Sequence, residues 1–288
     1  MFLICTLLLR EYERHGKISL KGFYIRRAFR ILPPALLYLA TAAILAALGV
    51  IAVNRNELTT ALLAANYFPD RLWFTAHFWS LSVEEHFYLV WPALLVWLGP
   101  RKACWTGLFL AALCIVYRPW AAEHIEGAFR YQRTDMRIDA FVLPCALAIL
   151  LRKEVWQQRA ARWLNEGAVL GLLLLLAAVS LAAEEGSLNT LNKFLQAGLL
   201  PLIVISPIFR PSSMLASALM WAPLRWLGKV SYGVYLWQQM FLEDTSSTAI
   251  RLLLLPVAVA TIFLCAWASS RFLEKPLRDY GRRLAATA

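Results

Sequence analysis

A chain of 288 residues that is 60% hydrophobic and only 16% charged, with a mean hydropathy of +0.57, lies outside the range of soluble globular domains, which are about half apolar and a quarter charged. Its net charge of +11 would suit a nucleic-acid partner in a soluble protein, but here the basic residues sit between apolar runs, where they set membrane orientation. The five cysteines show no CxxC spacing and the four histidines no HExxH arrangement, which argues against a disulfide framework and a metal site.

Met1–Leu9 is an apolar run leading straight into Arg10. It is too short to span a bilayer and lacks the basic start and cleavage site of a signal peptide, so it reads as the last part of a helix. Spans need about 20 mostly apolar residues. About eight segments qualify: 34–53, 76–98, 103–120, 136–151, 167–183, 194–209, 226–242 and 251–272. A further apolar piece, 57–68, reads as a half-helix on the outer side. Arg10, Arg14, Lys17, Lys21, Arg26, Arg27 and Arg30 precede the first span, and Arg271, Lys275, Arg278, Arg282 and Arg283 close the chain. Arg101–Lys102, Arg152–Arg162 and Arg210–Arg225 mark alternate loops, whereas Glu184-Glu185 and Glu243-Asp244 lie in leaner ones. Only 118–137, with Arg118, Arg130, Arg133 and Arg137, departs from the alternation. The positive-inside rule then predicts a cytoplasmic 10–30 segment and a cytoplasmic C-terminus. The predicted fold is all-α, a single polytopic domain over 1–288, with 1–33 a helix end plus basic segment, 34–272 the spans and 273–288 a tail.

The segment from Phe78 to Pro92 carries Glu84, Glu85 and His86 inside an apolar, aromatic run. An ionised acid at bilayer-centre depth costs roughly 2.5–3.5 kcal/mol on insertion scales, so the fold must pair or use these groups. At 100° per residue, His77, Ser80, Glu84 and Tyr88 share a stripe about 80° wide, with Glu85 at its border and His86 and Trp79 facing away. His77 and Glu84 stand about 10 Å apart along the axis, at two levels of one polar channel. A helix–helix hydrogen-bond cluster is the alternative for Ser80, Ser82 and Tyr88.

Arg27 and Arg30 fall at i,i+3 just before the first span, with Arg26 beside them. Guanidinium groups bind phosphate bidentately, so they suit a phosphorylated ligand, while topology signalling or contact with anionic membrane lipid is the other reading. Arg133/Arg137 and Asp135/Asp139 are i,i+4 pairs that predict two oppositely charged stripes at a helix start, with Arg137 available as a counter-charge for Glu84 or Glu85. An interfacial salt-bridge network is the alternative.

In order, Leu7–Tyr12 with Phe23–Pro33 (an RxxR element), His77–Pro92, Arg137-Ile138-Asp139, Leu227–Trp237 with its Gly228-Lys229-Val230-Ser231-Tyr232 block, and Phe272–Arg278 resemble the motifs of the membrane-bound acyltransferase family 3, which O-acylates sugars and other polar acceptors. The resemblance implies acyl-CoA as co-substrate, with no bound cofactor and no metal. It further implies a carbohydrate hydroxyl as acceptor and an inner-membrane location. It assigns Arg26, Arg27 and Arg30 to the donor phosphates, Glu84 and Glu85 to the buried reaction site, and Arg137 with Asp139 to the acceptor side, along with Ser231 and Tyr232 as polar lining. Two departures stand out: Gln238 and His86 occupy positions where the family has His and Gln. The family also carries an upstream helix with an Arg-Gly element and a histidine, from which the expectation follows that 1–288 alone transfers acyl groups poorly, with His77 the better substitute base. Lipopolysaccharide sugar, exopolysaccharide and peptidoglycan stay open as acceptors, as does oligomeric state. A glycan flippase or other transporter is the alternative activity, and a non-catalytic remnant a third reading.

Overall fold

Helices supply every regular element among the described residues of the computed structural model, which are 1–68, 71–125, 127, 131–182, 187–242 and 248–287. Arg130, Glu184-Glu185 and Glu243-Asp244 of the charge pattern lie outside them. Helix α1 (Phe2–His15) stops at Gly16, whose φ of 68° is a left-handed cap that glycine adopts without strain. Ser19 then caps α2 (Leu20–Ala47), its hydroxyl accepting from the Gly22 amide at 3.0 Å. The predicted first span starts too late: α2 runs straight through Pro33 and Pro34. The basic 20–30 segment is therefore the first turns of the same helix.

Two short helices follow, α3 (Arg55–Thr60) and α4 (Trp73–Ala76), and then α5 (Phe78–His124), which is broken at Gly99 by a φ of 71° and ψ of 165°. That break separates the segments expected as spans at 76–98 and 103–120. The chain continues through α6 (Ile138–Leu150), α7 (Glu154–Trp163), α8 (Glu166–Ala182), α9 (Ser187–Phe209), α10 (Met214–Met220), α11 (Ala222–Phe241) and α12 (Thr248–Ala268). A π-helical segment, Ser269–Glu274, leads without interruption into α13 (Lys275–Ala286).

The architecture is that of an all-α membrane bundle. Four described helical stretches are long and apolar enough to cross a bilayer (Leu20–Ala47, Trp73–Ala121, Leu191–Phe209 and Leu254–Ala286), and a fifth if α7 and α8, bent by 76°, form one broken span. The count of about eight is not reached by this measure. Helix α6 has 13 residues, about 20 Å at 1.5 Å per residue, against a hydrocarbon core of about 30 Å. Trp97, Leu181 and Met214 are 83%, 84% and 81% exposed, as suits a surface solvated by lipid.

The chain divides into two compact units, Met1–Ile18 with Leu89–Trp221, and Ser19–Tyr88 with Ala222–Ala288. In the first, α1 packs on α6, and α9 packs on α6 and on α8, the α8–α9 contact closing around Val169, Leu176 and Ile203. Cys5 and Cys145 are buried in this unit as free thiols, the Cys5 Sγ donating to the Cys145 carbonyl at 3.6 Å. In the second, α13 lies along α2 and α12 along α11, and glycines set both approaches. A Cβ on Gly281 would stand 2.5 Å from the Phe29 Cβ, and one on Gly233 would stand 3.0 Å from the Ala266 Cα.

Candidate active site

The second unit assembles its polar groups from α2, α5, α11 and α13. Helical phase brings Ser80 and Glu84 onto one face of α5, as the sequence predicts, and Tyr88 lies one turn further on. The Tyr88 hydroxyl donates to Glu84 Oε2 at 2.9 Å, and the Arg27 guanidinium lies 5.0 Å over the Tyr88 ring and 5.6 Å over that of Phe23. This stack leads Arg27 away from solvent and within electrostatic reach of Glu84 and Glu85. Glu85 is half-buried, its Oε1 buried without a hydrogen-bond partner.

Ser80, Leu81 and Glu84 face Ser231, Tyr232 and Tyr235 of α11 across a cavity of about 230 Å³. Tyr235 anchors one end of it: its hydroxyl donates to the His77 carbonyl and lies 2.5 Å from Ser80 Oγ, which is therefore placed to donate to it. Tyr232 is fixed by donating to the Ile31 carbonyl of α2 at 2.9 Å. Ser231 and Tyr232 also line a second, smaller cavity of about 40 Å³ with Arg30, Gly228, Lys229, Glu274 and Arg278. The two cavities thus share Ser231 and Tyr232 as a wall, with Arg30, Lys229, Arg278 and Glu274 on one side and Glu84, Ser80 and Tyr235 on the other.

His77 is not on the stripe in the way the helical wheel predicts. It follows α4 and precedes α5, so its ring leaves the α5 phase and enters an aromatic box of Tyr38 (5.2 Å, edge-on), Phe78 (4.7 Å) and Tyr235 (5.4 Å). It is 7% exposed, and both ring nitrogens are buried without a hydrogen-bond partner. His86 points away, as expected, to the Leu63 carbonyl at 2.7 Å. Ser82 is occupied by backbone: it accepts from the Ala65 amide at 3.2 Å and donates to the Ala61 carbonyl at 3.0 Å, pinning the 61–67 segment to α5.

The three arginines predicted to act together diverge. Arg30 lines the small cavity, Arg27 stacks on Tyr88, and Arg26 folds back so that a Cβ on Gly22 would be 3.1 Å from its Nη1.

Arg137 and Asp139 belong to the first unit. The predicted opposed stripes do not form, because α6 starts only at Ile138 and residues 131–137 are turns. Arg133 instead pairs with Asp135 two residues on, at 3.0 Å. Asp139 is completely buried and paired with Arg118 of α5, itself 1% exposed, while Arg118 also donates to the Met136 carbonyl at 2.8 and 3.0 Å. Arg137 Nε donates to the Tyr131 carbonyl at 2.7 Å. The sequence reading treats Arg118 as a loop charge and does not single out Tyr235, Lys229, Glu274 or Arg278. Tyr235 was accessible through its i,i+3 spacing from Tyr232; the others depend on tertiary convergence. Among the described residues no group of His, Cys, Asp and Glu is arranged to hold a metal ion.

A family model described as an acyltransferase domain matches residues 1–271. The chain is 28% identical to the peptidoglycan O-acetyltransferase OatA of Listeria monocytogenes, over 97% of this chain and 50% of that protein. It is 27% identical to the putative peptidoglycan O-acetyltransferase YrhL of Bacillus subtilis (98% and 49%) and to the O-acetyltransferase OatA of Staphylococcus aureus (97% and 51%). The chain thus spans about half the length of the curated relatives it matches. No solved structure gives a significant match.

Proposed function

Because the chain belongs to the acyltransferase domain family, we propose that it transfers an acyl group, acetyl or similar, from acyl-CoA to a hydroxyl of a cell-envelope carbohydrate. The observation that carries this reading is the shared wall of the two cavities: a basic chamber suited to a phosphorylated donor opens beside one that holds Glu84. The names of the relatives favour peptidoglycan as the acceptor. The chemistry also favours the bacterial inner membrane, with the basic start of α2 and the end of α13 on the cytoplasmic side, where acyl-CoA is found and where positive charge is retained.

In this mechanism the acceptor hydroxyl enters the 230 Å³ cavity and gives its proton to Glu84 as its oxygen attacks the thioester carbonyl. Tyr88 holds one carboxylate oxygen at 2.9 Å, which leaves the other for the proton. Attack places negative charge on the carbonyl oxygen, and Ser231 and Ser80 stabilise it by turning their hydroxyls from the Gly228 carbonyl and the Tyr235 hydroxyl. Collapse breaks the C–S bond, and Glu84 returns the proton to the departing sulfur. Glu85 and Arg27 set the local charge around Glu84, and His77, next to Tyr235, fixes one end of the cavity.

The test is transfer of radiolabelled acetyl from acetyl-CoA to peptidoglycan fragments by the purified protein in proteoliposomes. Glu84→Gln should lower kcat about 100-fold or more, with acetyl-CoA affinity changed only a few fold. Wild-type turnover from the variant removes Glu84 as the base, and movement of acceptor glycan without any acyl donor favours a transporter.

A further inference from the structure

The small cavity of the second unit draws one cation from each of three segments far apart in the chain: Arg30 from α2, Lys229 from α11 and Arg278 from α13. A single carboxylate, Glu274, faces them, and its Oε1 accepts from the Ser269 hydroxyl at 3.3 Å. The hydroxyls in the wall are already engaged, Tyr232 with the Ile31 carbonyl and Ser231 with the Gly228 carbonyl at 3.1 Å. The cations therefore face the space with a surplus of positive charge. Arg278 Nε is buried and has no acceptor, and a guanidinium donor removed from water without a partner is costly.

Retention of positive charge at a membrane face needs only basic residues near the span ends, in any geometry. It does not explain why three of them converge on one small cavity, or why a donor is buried there unsatisfied. A phosphate group explains both: its oxygens accept from guanidinium in a planar fork and from ammonium as a point charge. A cavity of about 40 Å³ is of a size to seat a phosphoryl group.

We propose that Arg30, Lys229 and Arg278 form a phosphate cradle that holds the phosphate-bearing end of the donor, with Lys229 and Arg278 supplying contacts that the RxxR element alone cannot. Its identification with the donor rests on the acyl-CoA reading above; the existence of the anion site does not. Within the RxxR element the duties then split: Arg30 binds the phosphate and Arg27 serves the carboxylates.

The experiment measures calorimetric affinities for the protein in neutral phosphatidylcholine nanodiscs with three probes: acetyl-CoA, phosphate-free acetyl-pantetheine and inorganic pyrophosphate. Lys229→Gln and Arg278→Gln should each raise the acetyl-CoA Kd about tenfold or more and leave acetyl-pantetheine unchanged. Pyrophosphate should displace acetyl-CoA from the wild type and bind both variants weakly. Equal pyrophosphate and acetyl-CoA binding by wild type and variants overturns the cradle and leaves the acyl-CoA reading standing. Pyrophosphate binding that depends on Arg278, in a wild type that ignores acetyl-CoA, keeps the cradle and removes acyl-CoA as its ligand. Loss of pyrophosphate binding when phosphatidylglycerol is added assigns the cradle to a lipid headgroup and overturns the donor assignment. Lys229 is exposed, so its variant carries the test if Arg278→Gln does not fold.

Discussion

Removing one partner of the Arg118–Asp139 pair should unfold the first unit more readily than any other single polar substitution there. Both side chains are essentially out of contact with solvent, at 2% and 0% relative exposure, and stripping one charge from such a pair costs about 3–5 kcal/mol because the other is left buried and uncompensated. Arg118 also ties the 131–137 turns to α5 through its two bonds to the Met136 carbonyl, so Arg118→Met loses that anchor as well. On the usual scaling for a domain of this size, the loss is roughly 6–20 °C in Tm. Cys114 supplies a local reporter: its thiol is buried, 3.3 Å from the Asp135 carbonyl and 3.7 Å from Asp139 Oδ1. A thiol-reactive fluorophore followed during heating in detergent, in a variant whose other cysteines are replaced, reads the opening of this region directly. Arg118→Met and Asp139→Leu should each shift the labelling transition downward, and the double variant should recover much of the loss, giving a large coupling energy. If the single variants label no earlier than an Arg152→Met control, whose partner Glu13 is half exposed, the pair is not holding the unit together. A direct acceptor-side role for Asp139 would then regain weight.

Three further outcomes follow from close contacts in the second unit. Gly281→Leu should separate α13 from α2, since even a Cβ meets the Phe29 Cβ at 2.5 Å; a lower Tm and weaker acetyl-CoA binding are expected, with Gly281→Ala intermediate and partly rescued by Phe29→Gly, which removes that atom. Tyr235→Phe removes the hydroxyl that bonds the His77 carbonyl and Ser80, a loss of about 1–3 kcal/mol visible in thermal unfolding and as a lower kcat in acetyl transfer. Ser82→Ala leaves the Ala65 amide and the Ala61 carbonyl unpaired in a buried position, so Tm should fall while calorimetry returns the wild-type Kd for acetyl-CoA.

The parts of the site that lie on one helix were legible in the sequence because helical phase is a local property. Ser80, Glu84 and Tyr88 share a face at 100° per residue, and the Tyr88–Glu84 bond is an i,i+4 contact. His77 escaped the same reasoning because the chain interrupts its helix between Ala76 and Phe78 without a proline or glycine to announce it. The span boundaries failed differently. Pro33-Pro34 reads as a helix limit, yet α2 carries both prolines inside, as helices in membrane bundles do when neighbours satisfy the freed carbonyls. Arg118 finds Asp139 across 21 positions, and Lys229 meets Arg30 and Arg278 only once α2, α11 and α13 have packed. Charge alternation reads Arg278 as a topology signal and leaves Arg118 as an exception to the pattern, while Lys229 stands out only as part of its Gly228–Tyr232 block; no local spacing points any of them to these partners.

The π-helical turn at Ser269–Glu274 gives the end of the chain an angular setting. A wide turn of this kind adds one residue to an α-helix, so it rotates everything after it by about 100° relative to the helix before it. Gly281 and Arg278 both lie downstream and share that rotation. Deleting one residue from 269–274 would restore a regular α-helix of nearly the same length and hydropathy while turning Gly281 off Phe29 and Arg278 out of its cavity together. The seam and the charged chamber are therefore governed by a single count of residues, and a gap of one there would cost this chain more than many substitutions elsewhere.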